Sequence, residues 1–174
     1  MRVLIVTHHY LHGNGGGVFA SRGFINACAR LYDDVTLMCP VLPGHSPEHI
    51  VPSVRIINVP DPRSFLRKFL DLATGRLHRF GRVFPELLSR ERFDLVVFDT
   101  SYPSGDLALT AKAAGTLVVT IHHNCQYEYE RDNATGLTRP LMLFWMPRCE
   151  RRALYCSDLN ITLTEFFKSL RIFS

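Results

Sequence analysis

This chain of 174 residues has no apolar run approaching the roughly 20 residues that cross a bilayer, and its opening M-R-V-L-I-V-T carries no leader-type apolar section or cleavage site. A membrane-spanning class is excluded, and the expectation is a cytoplasmic protein. Cysteine is scarce and odd in number, five residues in no spacing that suits zinc or a disulfide framework, which points to a reducing compartment. Charge of one sign is not dominant either. Twenty Lys and Arg against 16 Asp and Glu give a net charge of +4, which suits anionic ligands without requiring nucleic acid. Charged residues at 21% and a mean hydropathy near zero exclude disorder. With 47% apolar residues the chain can bury about two thirds of its unfolded surface in one ordinary core.

What is present is an alternation of strand and helix patterns. Val3 to Thr7 is apolar on both alternations, as a strand buried on both faces of a parallel sheet requires. The loop H-G-N-G-G-G (His12 to Gly17) follows, then Ala20, Phe24, Ala27, Cys28 and Leu31 at helical spacing. Val35–Cys39 and Val54–Val59 read as strands joined by a proline-rich irregular loop. Residues 63–92 carry apolar side chains at helical spacing with expected breaks near Thr74–Gly75 and at Pro85. Phe93–Asp99 is a strand, Leu107 to Ala114 a helix stopped by Gly115, and Leu117–His122 a further strand. Leu141–Trp145 is an apolar run ended by Pro147, Glu150–Cys156 a helix, Leu159–Leu163 a strand, and Thr164–Glu165 a helix start. This order predicts an α/β fold with a doubly wound, mostly parallel sheet.

Three segments fall at the carboxyl ends of these strands, where such sheets bind ligands. Gly13, Gly15, Gly16 and Gly17 precede the first helix and can bring backbone N–H groups to a phosphate. A tight turn with positive φ needs only one of them. The spacing misses the last glycine of G-x-G-x-x-G, no acid follows the second strand, and no G-K-S or G-K-T ending is present, so dinucleotide and P-loop sites are disfavoured. T-I-H-H-N (Thr120 to Asn124) places His122 and His123 at a strand mouth, with His8 and His9 at the equivalent end of the first strand. Metal binding through His122, His123 and Cys125, or through Cys149 and Cys156, fits no standard pattern, and no G-x-S-x-G elbow supports a hydrolase. Stretch 63–92 holds eight Lys and Arg, among them Arg76, Arg79 and Arg82. It reads either as a solvated helix face over a core or as a contact with an anionic membrane surface or lipid-phosphate acceptor; RNA-binding motifs are lacking. The apolar ending F-F-K-S-L-R-I-F-S lacks a polar cap, and a continuation of the chain is expected.

M-R-V-L-I-V-T with G-N-G-G-G, then V-V-T-I-H-H-N-C-Q-Y-E-Y, then E-R-R-A-L-Y-C-S-D-L-N-I-T-L-T-E together resemble the N-terminal domain of GT-B glycosyltransferases, in particular the retaining family 4 enzymes. Thr164 stands where the family usually has Ser. The resemblance implies metal-independent transfer of a sugar from a nucleotide-sugar to a glycan or lipid-linked acceptor, with no further cofactor, in a cleft between two Rossmann-like domains. Residues 1–163 would be the acceptor-side domain and 164–174 the start of the crossover to a C-terminal domain that has no counterpart here, so the chain alone would be inactive. Gly15, Gly16, Gly17 and Asn124 would then bind the donor diphosphate or the acceptor, and by the same likeness either His122 or His123 touches the donor sugar. A non-catalytic subunit that recruits a separate catalytic half to the inner face of the membrane, and a nucleotide-binding oxidoreductase or epimerase domain, are the alternatives.

Overall fold

The computed structural model describes residues 1–61, 70, 78–101, 104–123, 131–132, 136 and 139–162. Runs of β-branched and apolar residues become six parallel strands: β1 (Arg2–Val6), β2 (Asp34–Val41), β3 (Arg55–Pro60), β4 (Leu95–Phe98), β5 (Leu117–His122) and β6 (Leu159–Thr162). Their order is β3-β2-β1-β4-β5-β6. The chain winds outward from β1 to one edge and then from β4 to the other, the doubly wound arrangement the alternation predicted. Between β1 and β4 the winding reverses, and the carboxyl ends there form the crevice that such sheets offer to ligands.

Side-chain alternation sorts β1 into two cores. Leu4 and Val6 join Phe80, Phe84, Phe98, Leu107 and Ala108 on one face, while Val3 and Ile5 join Ile25, Leu37, Val97 and Ile121 on the other. Helix α1 (Gly16–Leu31) supplies Ile25 and Cys28 to the second core. Helices α2 (His78–Arg90), α3 (Gly105–Ala113) and α4 (Arg139–Cys156) cover the first. Phe80 and Phe84 are fully buried one turn apart, and truncating either to Ala costs about 3–5 kcal/mol.

Two expected breaks do not occur. Pro85 lies inside α2 and Pro147 inside α4. Each removes one helical hydrogen bond, but burial on both sides carries the helix through: Phe80 and Phe84 before Pro85 with Leu87 and Leu88 after it, Met146 before Pro147 with Cys149, Ala153 and Leu154 after it. Helix α4 packs on α3 so closely that a Cβ at Gly105 would stand 2.9 Å from the Arg152 side chain. Gly115 ends α3 with φ +76, as its stop position requires. At the sheet margins β3 exposes Arg55, Ile56 and Asn58, whereas β6 exposes Leu159 and Ile161. The join expected near Thr74–Gly75 and the helix start at Thr164 lie outside the described residues.

Candidate functional site

The glycine loop leads into α1, whose N-cap is Gly15 in extended conformation (φ −79°, ψ 156°) with no side-chain cap and no acid in the first turn. The first turn of a helix has N–H groups without helical partners, so this terminus is open to an anion. Positive φ is not the reason for the glycines, since that conformation occurs instead at Gly44, Gly115 and Gly136. Gly17 is explained by close approach: a Cβ there would stand 3.1 Å from the His9 ring. Gly15 and Gly16 face open space, with nothing of the described chain within 4 Å of a built Cβ.

The strand ends beside this loop bring four histidines and an aspartate into play. His8 Nδ1 lies 2.6 Å from the Thr100 hydroxyl. Burial first, then the positive charges of His9, Arg79 and His123, push the His8 pKa down to about 3, so the ring is neutral. The His9 ring lies 4.3 Å from His8 and 6.2 Å from His123, the latter edge-on. Burial lowers the His9 pKa, opposed by the charge of Asp99.

His122 and His123 go to opposite sides, because consecutive residues leaving a strand point opposite ways. His122 follows Thr120 into the sheet toward β6. Thr120 Oγ1 meets the Ser157 hydroxyl at 2.6 Å, and His122, fully buried, meets Asn160 Oδ1 through Nε2 at 3.0 Å. Burial lowers its pKa. His123 turns instead to the crevice, where its Nε2 lies 2.7 Å from Oδ1 of Asp99. Asp99 is fully buried at the end of β4, and its Oδ2 has no hydrogen-bond partner among the described residues. A carboxylate beside Nε2 favours a proton on that nitrogen, and in the neutral ring Nδ1 of His123 is then an acceptor. The sequence showed Asp99 as a strand end, but not that His123 would reach it.

A second polar group was also missed. Asp61, just past β3, accepts hydrogen bonds from the Tyr10 hydroxyl and from Nη1 of Arg79, and Arg79 donates to Tyr10 Oη at 3.1 Å. The Arg79 and Asp61 side chains are 11% and 6% exposed, so this is an inward ion pair. Burial, followed by the Asp61 hydrogen bond, raises the Tyr10 pKa. Arg79 is therefore not part of an outward basic face: the packing of α2 against the β3 end gives it a buried partner. Arg82 is exposed on α2. Arg76, Asn124 and Cys125 lie outside the described residues. Cys149 and Cys156 are buried with thiol pKa values pushed up by burial, that of Cys149 to about 11. Among the described residues no three His, Cys, Asp or Glu side chains are placed to hold a metal, and no helix is long and apolar enough to cross a membrane.

The family model described as Glycosyltransferase Family 4 matches residues 14–170. A search of curated proteins returns no match. Among solved structures the chain is similar to the crystal structure of Arabidopsis thaliana UGT89C1 complexed with UDP, with 14% identity, a TM-score of 0.47, and coverage of 98% of this chain and 44% of that one. The chain thus spans less than half the length of that protein.

Proposed function

This chain belongs to glycosyltransferase family 4, and from that premise we infer that it forms the acceptor-side half of an enzyme moving a sugar from a nucleotide-sugar to a glycan or lipid-linked acceptor, inactive without a C-terminal donor domain. The observation that carries this reading is the placement of the Asp99–His123 pair beside an uncapped, glycine-led helix start at the reversal point of the sheet. The N–H groups at Gly16 and Gly17 receive the donor diphosphate and stabilise the negative charge that grows on it as it leaves. His123, with its Nε2 proton held by Asp99, accepts a hydrogen bond from a donor-sugar hydroxyl through Nδ1.

In this scheme the acceptor oxygen bonds to the anomeric carbon on the face the diphosphate departs from, so configuration is retained. The breaking C–O bond leaves its electron pair on the phosphate oxygen, which takes the acceptor proton. No side chain of this half acts as base, and no metal is required. Arg82, the described member of the basic trio that faces outward, is assigned to an anionic acceptor or to the inner face of the membrane.

The test compares His123→Ala with His122→Ala in transfer from labelled nucleotide-sugar by the intact enzyme, with its donor domain present. Loss of about a hundredfold in kcat/KM is expected for His123→Ala. For His122→Ala a fall in Tm is expected with much of the turnover kept. Full activity in His123→Ala would remove the imidazole from the site.

A further inference from the structure

The carboxyl edge carries a second cluster that the glycine loop and the Asp99–His123 pair do not use. The loop after β1 presents Tyr10 and His12, and the β2–β3 connection presents His45. The His12 and His45 rings are stacked with centroids 4.3 Å apart and 23° between planes, and Tyr10 meets His12 edge-on at 5.9 Å. Backbone contacts set this arrangement. The N–H of Glu48 donates to the Leu11 carbonyl at 3.1 Å, Arg22 Nη2 donates to the same oxygen at 2.6 Å, and His45 N–H closes a turn onto Leu42 at 3.0 Å. Tyr10 is anchored in turn through its hydroxyl on Asp61 and Arg79. The outer ring, His45, is exposed.

Stacked imidazoles offer a flat π face with nitrogens at the rim. A pyranose offers the complement, a face of C–H groups with hydroxyls at its rim. A phosphate finds no exposed guanidinium at this cluster: Arg22 is buried and Arg79 largely so, with Nε and Nη2 of Arg22 on the Leu11 carbonyl and Nη1 of Arg79 on Asp61. We propose that the Tyr10–His12–His45 layer is a subsite for a neutral sugar ring of the acceptor. This rests on the transferase reading and narrows it, since the acceptor must then itself carry a glycosyl residue close to the hydroxyl that is modified.

The experiment is an NMR titration of the intact enzyme, donor domain included, carrying carbon-13 at histidine Cε1, with signals assigned by single His→Gln variants. The probes are the methyl glycosides of glucose, galactose, mannose and N-acetylglucosamine, inorganic phosphate, and uridine diphosphate. At least one glycoside shifts His12 and His45 together and saturably, while phosphate moves neither. His45→Ala weakens that binding about tenfold and His45→Trp keeps it. Silence with every glycoside, or a response to phosphate alone, overturns the subsite. Uridine diphosphate is read separately on His9 and His123. If it shifts them while the glycosides leave His12 and His45 unmoved, the transferase reading stands and the subsite falls. If the glycosides act and uridine diphosphate does not, the sugar subsite survives and the donor assignment is lost.

Discussion

The two ends of the same sheet handle polar groups in opposite ways. At the amino ends of the strands, charges are paired in solvent: Arg2 bonds Asp34 at 2.8 Å and Glu91 at 2.9 Å, and Arg55 bonds Glu91 at 2.7 Å. Hydrogen bonds from Arg55 and Arg2 lower the Glu91 pKa, and Asp34 raises that of Arg2. Such exposed pairs contribute little to stability. At the carboxyl ends the polar groups are buried: Asp99, His122 and the Asp61–Arg79 pair are withdrawn from water, and His8 is held neutral. Buried polar groups cost stability unless well partnered. Their concentration at one end is the pattern that a functional site produces.

Breaking one buried pair gives the largest expected effect. Arg79→Met removes the buried cation of the Arg79–Asp61 pair and lowers stability by about 3–5 kcal/mol in urea unfolding, whereas Arg55→Met at the opposite end costs less than about 1 kcal/mol. Equal losses would dissolve the contrast. Acid comes next. His8 titrates near 6.5 when unfolded and at about 3 when folded, so the unfolded chain binds the extra proton between those values and stability falls as pH drops through that window. The loss is about 4 kcal/mol by pH 3, and a His8→Asn variant shows a flatter acid limb.

Asp99→Asn is expected to slow transfer about a hundredfold, close to 2.7 kcal/mol of barrier, because Asn can present its amide N–H to Nε2 and reverse the tautomer of His123. An unaltered rate would mean that the pair is merely structural. Gly16→Ala separates ligand space from fold. Ala is the better helix former, so Tm holds or rises slightly, while donor affinity falls about tenfold. Smallest is Glu91→Gln, which shifts stability by less than about 1 kcal/mol and leaves transfer unchanged.

Strand positions were legible because burial on both faces writes itself as continuous apolar sequence, and the expected Leu117–His122 matches β5 residue for residue. Helix continuity was not legible at Pro85 and Pro147, where tertiary burial outweighs a local breaker. The glycine loop was visible as composition, but its division into one steric glycine, Gly17, and two facing open space needed the His9 ring in place. Likewise T-I-H-H-N announces two imidazoles without saying which one faces the crevice. That depends on where β5 stops, and on Asp99 and Asn160 arriving from separate strands. Arg79 looked like surface charge because its partner Asp61 lies 18 residues away, at the end of another strand.

The two margins of the sheet predict how the polypeptide behaves toward copies of itself. Along β3, charged Arg55 and the terminal Pro60 discourage a foreign strand from pairing, as edges of monomeric proteins commonly do. Along β6 no such guard is present among the described residues, and Leu159 and Ile161 are 55% and 38% exposed. Among the described residues β6 is therefore the margin more open to a second copy of the chain, and Ile161→Lys is the economical way to close it.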